Sequence, residues 1–212
     1  MTEERLIISR KTNNKFFLMI AVGVVLLIAG IIFMTLGGGA EHGEGHGEAA
    51  AAGHEAASWA KRLFVNLWLN NVFFTGIALI GTFFVAVQYV AYAGWSVLIK
   101  RIPEALSYYL PVGGIVMLLV FLFGGHDIFH WTHEYLYDVN DPRYDPIIAG
   151  KAGYLNTFFF LARMVVFFAL WIIFFKWLRN LSINEDLHGG TGYYNKSITV
   201  SAIFLVIFGV SS

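Results

Sequence analysis

The chain has 212 residues, of which 58% are hydrophobic, 17% aromatic and only 13% charged, with a formal net charge of zero and no cysteine. A soluble domain of this size carries about 25% charged residues, so the composition is that of an integral membrane protein. The neutral balance excludes the basic surface that nucleic-acid binding needs. The missing thiols exclude disulfides, thiolate zinc sites and iron–sulfur ligation by these residues.

Residues 1–15, MTEERLIISRKTNNK, are mostly polar and read as an N-terminal segment on the cytoplasmic side. Residues 16–36 form an unbroken apolar run of about 21, longer than the 7–15 residues of a signal-peptide core. At ~1.5 Å per residue the run reaches about 31 Å, the thickness of the hydrocarbon. A first transmembrane helix is predicted there. Residues 37–62 follow, rich in Gly, Ala, Glu and His. They have few bulky apolar side chains to bury, which predicts a mobile loop. His42, His46 and His54 in it are of metal-ligand type, but a flexible loop seldom pre-forms a site, and no metal is assigned.

A second span is predicted over 63–93. Asn66 and Asn70, four apart, share a face suited to hydrogen bonding between helices, and Gly76 and Gly81 permit close helix contact. The connection GWSVLIKRIPEALSYYLP places Lys100 and Arg101 at an interface and Pro103 in the first turn of a new helix. The third span is predicted over 104–123, with Pro111 as a kink. The fourth is predicted over 155–177, and RNLSINEDLHGGTGYYNK after it reads as a polar loop. The fifth begins near Ser197 and is still apolar at Val210. Its ~16 residues fall short of the ~20 a span needs, so a helix cut short within a longer protein is expected. The fold class is therefore all-α integral membrane, with five transmembrane helices. Arg5, Arg10, Lys11, Lys15, Lys100, Arg101, Lys176, Arg179 and Lys196 fall on one side, and Lys61, Arg62, Arg143 and Lys151 on the other. This bias predicts a cytoplasmic N-terminus.

The stretch 124–145, GGHDIFHWTHEYLYDVNDPRYD, crowds ionisable groups against the apolar end of span three and faces the periplasmic side in this topology. His126, His130 and His133 follow i, i+4, i+7 spacing, which on a helix places them within an arc of about 60°. Asp127 and Glu134, seven apart, share a neighbouring face. Neutral His and ionised carboxylate both accept protons near neutral pH, as a site oxidising a lipid-soluble two-proton carrier requires. The plainer alternative is a set of interfacial polar groups with Trp131 and Tyr135 as belt aromatics. Arg163 lies about a third of the way into span four. A charge in a span costs ~2.5–3.5 kcal/mol at the midplane, so a partner is expected, and Asp127 is the nearest candidate. Snorkelling to the interface is the alternative.

The stretches FFTGIALIGTFFVAVQYVAYAGWSVLIKRIPEALSYYLPVG, HDIFHWTHEY, GKAGYLNTFFFLARMVVFFALW and AIFLVIFGVSS together resemble the F subunit of alternative complex III, a quinol:cytochrome c oxidoreductase. The likeness covers most of the chain from about Ala60 onward. That family is one of polysulfide-reductase-like membrane subunits with two four-helix bundles. The resemblance implies that 16–36 is a peripheral helix, that 63–212 form the first four-helix bundle, and that the second bundle is absent from this sequence. It implies a place in the bacterial cytoplasmic membrane. It also implies a quinone pocket or proton path carried onto His126, Asp127 and His130, which His133, Glu134 and Arg163 join as candidates on the residue pattern alone, with no catalytic residue fixed. The chain alone is expected to bind no cofactor other than a quinone. Haem c and iron–sulfur clusters belong to partners, among them a multihaem cytochrome c, a paralogous quinone-binding membrane subunit and a terminal cytochrome oxidase. The competing readings are a non-catalytic scaffold for those subunits and half of a proton-coupled transporter.

Overall fold

The computed structural model describes residues 9–37 and 59–211. The polar expectation for residues 1–8 and the His-bearing loop between them lie outside that description. Within the described residues the fold is helical, with no strand, and five helices are long and apolar enough to cross a membrane. This is an all-α membrane protein. Residues fall into two units, Met1–Arg62 and Leu63–Ser212. In the first, helix α1 (Arg10–Gly37) opens on the polar residues 10–15 and is apolar from Phe16 onward, and its described side chains are exposed.

The second unit is built on four long helices: α2 (Trp59–Val90), α4 (Tyr109–Ile128), α6 (Thr157–His188) and α7 (Thr191–Ser211). Two short helices, α3 (Arg101–Leu106) and α5 (Pro146–Ala149), lie in the connections. All four long helices give side chains to one core: Ala78, Leu79 and Ala86 from α2, Leu110 from α4, Phe174, Phe175 and Leu178 from α6, and Phe204 from α7. A second cluster near the end of α4 joins Met117 and Phe121 to Met164 and Phe168.

Close approach of α2 to the α3–α4 arm depends on small residues. A Cβ on Gly81 would stand 2.6 Å from the carbonyl oxygen of Pro103, and one on Gly113 would stand 2.4 Å from Thr75 Oγ1. Gly76, paired with Gly81 in the sequence reading, meets nothing within 4 Å and plays no such part. The hydrogen-bonding asparagine also differs from expectation. Asn70 Nδ2 donates within its own helix to Asn66 O at 2.8 Å. The neighbouring Asn71, buried, donates to Gly113 O at 2.9 Å and accepts from Tyr109 Oη at 2.8 Å. One step round a helix is about 100°, and that step decides which amide meets α4.

Pro103 stands in the first turn of α3 as expected. Pro111 stands in the first turn of α4, so it does not kink the body of span three. A proline ring excludes the carbonyl four residues back, here Ser107, and the helical path breaks there, between α3 and α4. The largest correction concerns 179–196. Of that predicted polar loop, residues 179–188 are the end of α6, which runs unbroken to His188 and ends at Gly189 with φ 68°, and residues 191–196 are the start of α7. Leu178, Leu181 and Ser182 are buried there, so the polar residues between them ride on a packed helix. The loop shrinks to Gly189–Gly190. With α7 starting at Thr191, span five has 21 residues, against the ~16 expected.

Candidate functional site

The helix carrying the histidines does not continue through them. α4 stops at Ile128, and Phe129 is extended (φ −105°, ψ 110°) while its N–H still reaches Gly125 O. Two single-turn 3-10 segments follow, His130–Thr132 and Glu134–Leu136. The cause is aromatic burial. Phe129 and Trp131 fold back on the bundle end, where Phe129 stands edge-on to Trp68 at 5.1 Å and Trp131 lies 5.4 Å from Phe160. The expected helical arc of His126, His130 and His133 is therefore wrong, as is the shared face of Asp127 and Glu134.

The turns nevertheless gather the histidines. The His126 and His133 rings lie 4.2 Å apart, and His130 and His133 5.7 Å apart. His133 stacks on Tyr135 at 5.2 Å, and the Arg143 guanidinium lies 3.9 Å over the Tyr135 ring. Thr132 Oγ1 lies 3.3 Å from His126 Nδ1. Asp127 and Glu134 are exposed. Among the described residues no group of three His, Asp or Glu side chains is arranged to hold a metal. Outside the helices, Arg143 donates to both Asp141 oxygens at 3.1 Å, and these hydrogen bonds hold the Asp141 carboxyl below its ordinary range.

Arg163 does not pair with Asp127. Its guanidinium lies 3.7 Å over the Tyr154 ring and 5.0 Å from that of Phe159. The cation is balanced by aromatic π-density rather than by a carboxylate. Its Nη1 is buried with no hydrogen-bond partner among the described residues. Arg163 borders an open-sided slot of about 300 Å³ between α2, α4 and α6, walled by Trp68, Met117, Phe160, Phe167, Phe168 and Trp171. Gly114 lets α4 approach α6 closely beside the slot's Phe168, since a Cβ there would stand 2.8 Å from the Phe168 ring.

At the far end of α4, about 30 Å away along twenty residues, lies a charge cluster that the sequence reading missed. Glu104, 3% exposed, accepts from Arg101 Nη1 at 2.6 Å and from Arg179 Nη1 at 3.0 Å. Lys100, 7% exposed, donates to Asp186 Oδ1 at 2.9 Å, and Arg101 also pairs with Asp186. Tyr89 Oη donates to Glu185 at 2.9 Å, and Arg179 Nε to Tyr108 Oη at 2.7 Å. Lys100 and Arg101 were expected to mark an interface. Lys100 is buried, while Arg101 keeps a side chain 40% exposed, and both are paired with acids: Arg101 with Glu104 on its own helix, and both with Asp186 on α6. A signal was present in the sequence: Arg179 and Asp186, seven apart, share a face of α6 once that helix is known to continue.

Fold and sites together define a multi-pass, all-α membrane protein. Its aromatic slot holds one cation, and a neutralised charge cluster stands at the other end of the bundle. No protein-family model matches the chain, and no curated protein matches it.

Proposed function

We propose that this chain is a membrane subunit of a respiratory quinol:cytochrome c oxidoreductase, and that its own part is to seat a quinone ring in the slot beside Arg163. The observation that carries the reading is the buried, unpartnered Nη1 of Arg163 at the edge of an aromatic slot. A quinone offers a flat conjugated ring and oxygens at its rim. Aromatic walls hold such a ring, at about 0.5–1.5 kcal/mol per stacked pair. A charged donor to an acceptor oxygen adds roughly 1.5–3 kcal/mol. Oxidation of the quinol releases two electrons and two protons. The electrons leave to a redox group on a partner subunit, and the protons pass to His126 and His130, which flank the end of α4. The reading places the chain in a bacterial cytoplasmic membrane with its N-terminus cytoplasmic. Its partners there are a multihaem cytochrome c, an iron–sulfur subunit and a paralogous membrane subunit.

Quinol-driven cytochrome c reduction by the purified native complex tests it. Arg163→Gln should lower kcat/KM by about 10-fold or more, the equivalent of the lost charged hydrogen bond. A photoreactive azidoquinone should label the peptide containing Phe167. Asp127→Asn and His130→Ala should slow turnover while assembly persists. Full activity in all three variants, with labelling elsewhere, would assign this chain a scaffold role.

A further inference from the structure

The connection between α2 and α3 is built inside out. α2 ends at Val90, and Tyr92 takes the left-handed region (φ 54°), where the chain reverses. Trp95 then packs against Phe84 at 6.4 Å. Farther on, Pro103 O presses against Gly81, and Ser107 Oγ approaches Ala78 O at 3.0 Å. Contacts at 84, 81 and 78 show residues 92–107 descending the flank of α2, to a level about 18 Å below its end. They are not a loop standing above the bundle.

The polar groups of this segment point inward. Ser96, Lys100, Glu104 and Ser107 are all buried. Its apolar groups point outward: Trp95, Val97, Leu98, Ile102 and Leu106 are exposed, Leu98 to 90%. Surrounded by water, this arrangement would spend burial on charges and leave apolar area wet. Surrounded by acyl chains, it is the arrangement of low energy, because charges are paired inside and hydrocarbon meets hydrocarbon. The exposed face also has a continuation. Ile102 and Leu106 lead into Val112, Ile115, Leu119 and Leu122, the exposed stripe of α4. Arg101–Ile128 is apolar enough to cross a membrane as one stretch.

We propose that residues 92–106 are inserted in the membrane, with the Trp95–Leu106 apolar face against lipid acyl chains and the Lys100–Asp186 and Glu104–Arg179 pairs shielded behind it. Arg101 and Asp186, with side chains 40% and 44% exposed, are less buried than Lys100 and Glu104. The occupant is lipid rather than a protein partner because the face is continuous with the span that follows it.

The chain has no native cysteine, so single nitroxide labels report one position each. The full chain, reconstituted alone in phosphatidylcholine vesicles, carries Leu98→Cys or Ile102→Cys. Leu119→Cys serves as the lipid reference and Asn140→Cys as the aqueous one. Val97→Cys replaces Leu98→Cys if the latter loses its helix content by circular dichroism. Power-saturation spectra compare relaxation by oxygen with that by a water-soluble nickel chelate. Oxygen should dominate at 98 and 102, as at 119. Nickel dominance, as at 140, would overturn the proposal. So would shielding from both reagents, which would mean that protein rather than lipid covers the face.

Discussion

Glu104 of α3 accepts a hydrogen bond from Arg179 of α6 at 3.0 Å, across 75 residues of chain. The same carboxylate oxygen accepts from Arg101 at 2.6 Å. Glu104 thus ties the α3 arm to α6 at a depth where its side chain is 3% exposed. Removing one partner of a buried pair leaves an uncompensated charge, at about 3–5 kcal/mol. Arg101 and Arg179 keep Asp186 and Tyr108 as second partners, so Glu104→Ala should cost toward the lower end, about 3 kcal/mol. Glu104→Gln, which retains an acceptor oxygen, should cost less. The midpoint of loss of helical circular dichroism in detergent checks the order. A surface pair would lose its effect in added salt, and this one should not.

Gly81 and Gly76 stand on one helix and predict opposite outcomes. Gly81→Ala forces a Cβ to within 2.6 Å of Pro103 O, a backbone atom that cannot swing aside. Overpacking of this kind costs about 1–3 kcal/mol. Gly76→Ala meets nothing within 4 Å, and the helix-propensity gain of up to ~1 kcal/mol should appear as equal or greater stability. The same detergent unfolding measurement separates them.

Asp141 supplies the pH prediction. Its carboxyl is held below the ordinary range, first by hydrogen bonds from the Arg143 side chain. A depressed folded-state pKa means the stabilising contribution is present above the ordinary carboxylate value. It is lost as pH falls through the lowered one. Arg143→Gln should move the Asp141 titration midpoint upward, read from the carboxyl carbon resonance of labelled protein. An unmoved midpoint would show that the pair does not persist in solution.

The Lys and Arg bias predicts a cytoplasmic N-terminus, and labelling in cells tests it. With Ser9→Cys and Asn140→Cys in the Cys-free chain, an impermeant maleimide added outside should label position 140 and spare position 9. The reverse pattern would invert the bundle and place the His126 cluster on the cytoplasmic face.

Hydrophobic content and run length were enough to predict an all-α, five-span membrane protein, because a bilayer leaves a continuous apolar run little choice but a helix. Element ends were not legible in the same way. α6 continues through Asn184, Glu185 and Asp186, and only the buried Leu181 and Ser182 beside them explain why polar residues stay helical. The His126, His130 and His133 cluster could be chosen from residue types, yet its geometry could not. Phe129 and Trp131 are drawn into the core, and that burial ends α4 at Ile128. Arg163 could be seen to need a partner. That the partner is the Tyr154 ring, and not Asp127, depends on how α6 is rotated against the turn before it. Lys100 and Arg101 read as interfacial because charge in one dimension says nothing of direction. Only the reversal at Tyr92 and the close approach at Gly81 bring Lys100 and Arg101 to Asp186, which lies 86 and 85 residues further along the chain, whereas Glu104 is a local partner three residues from Arg101.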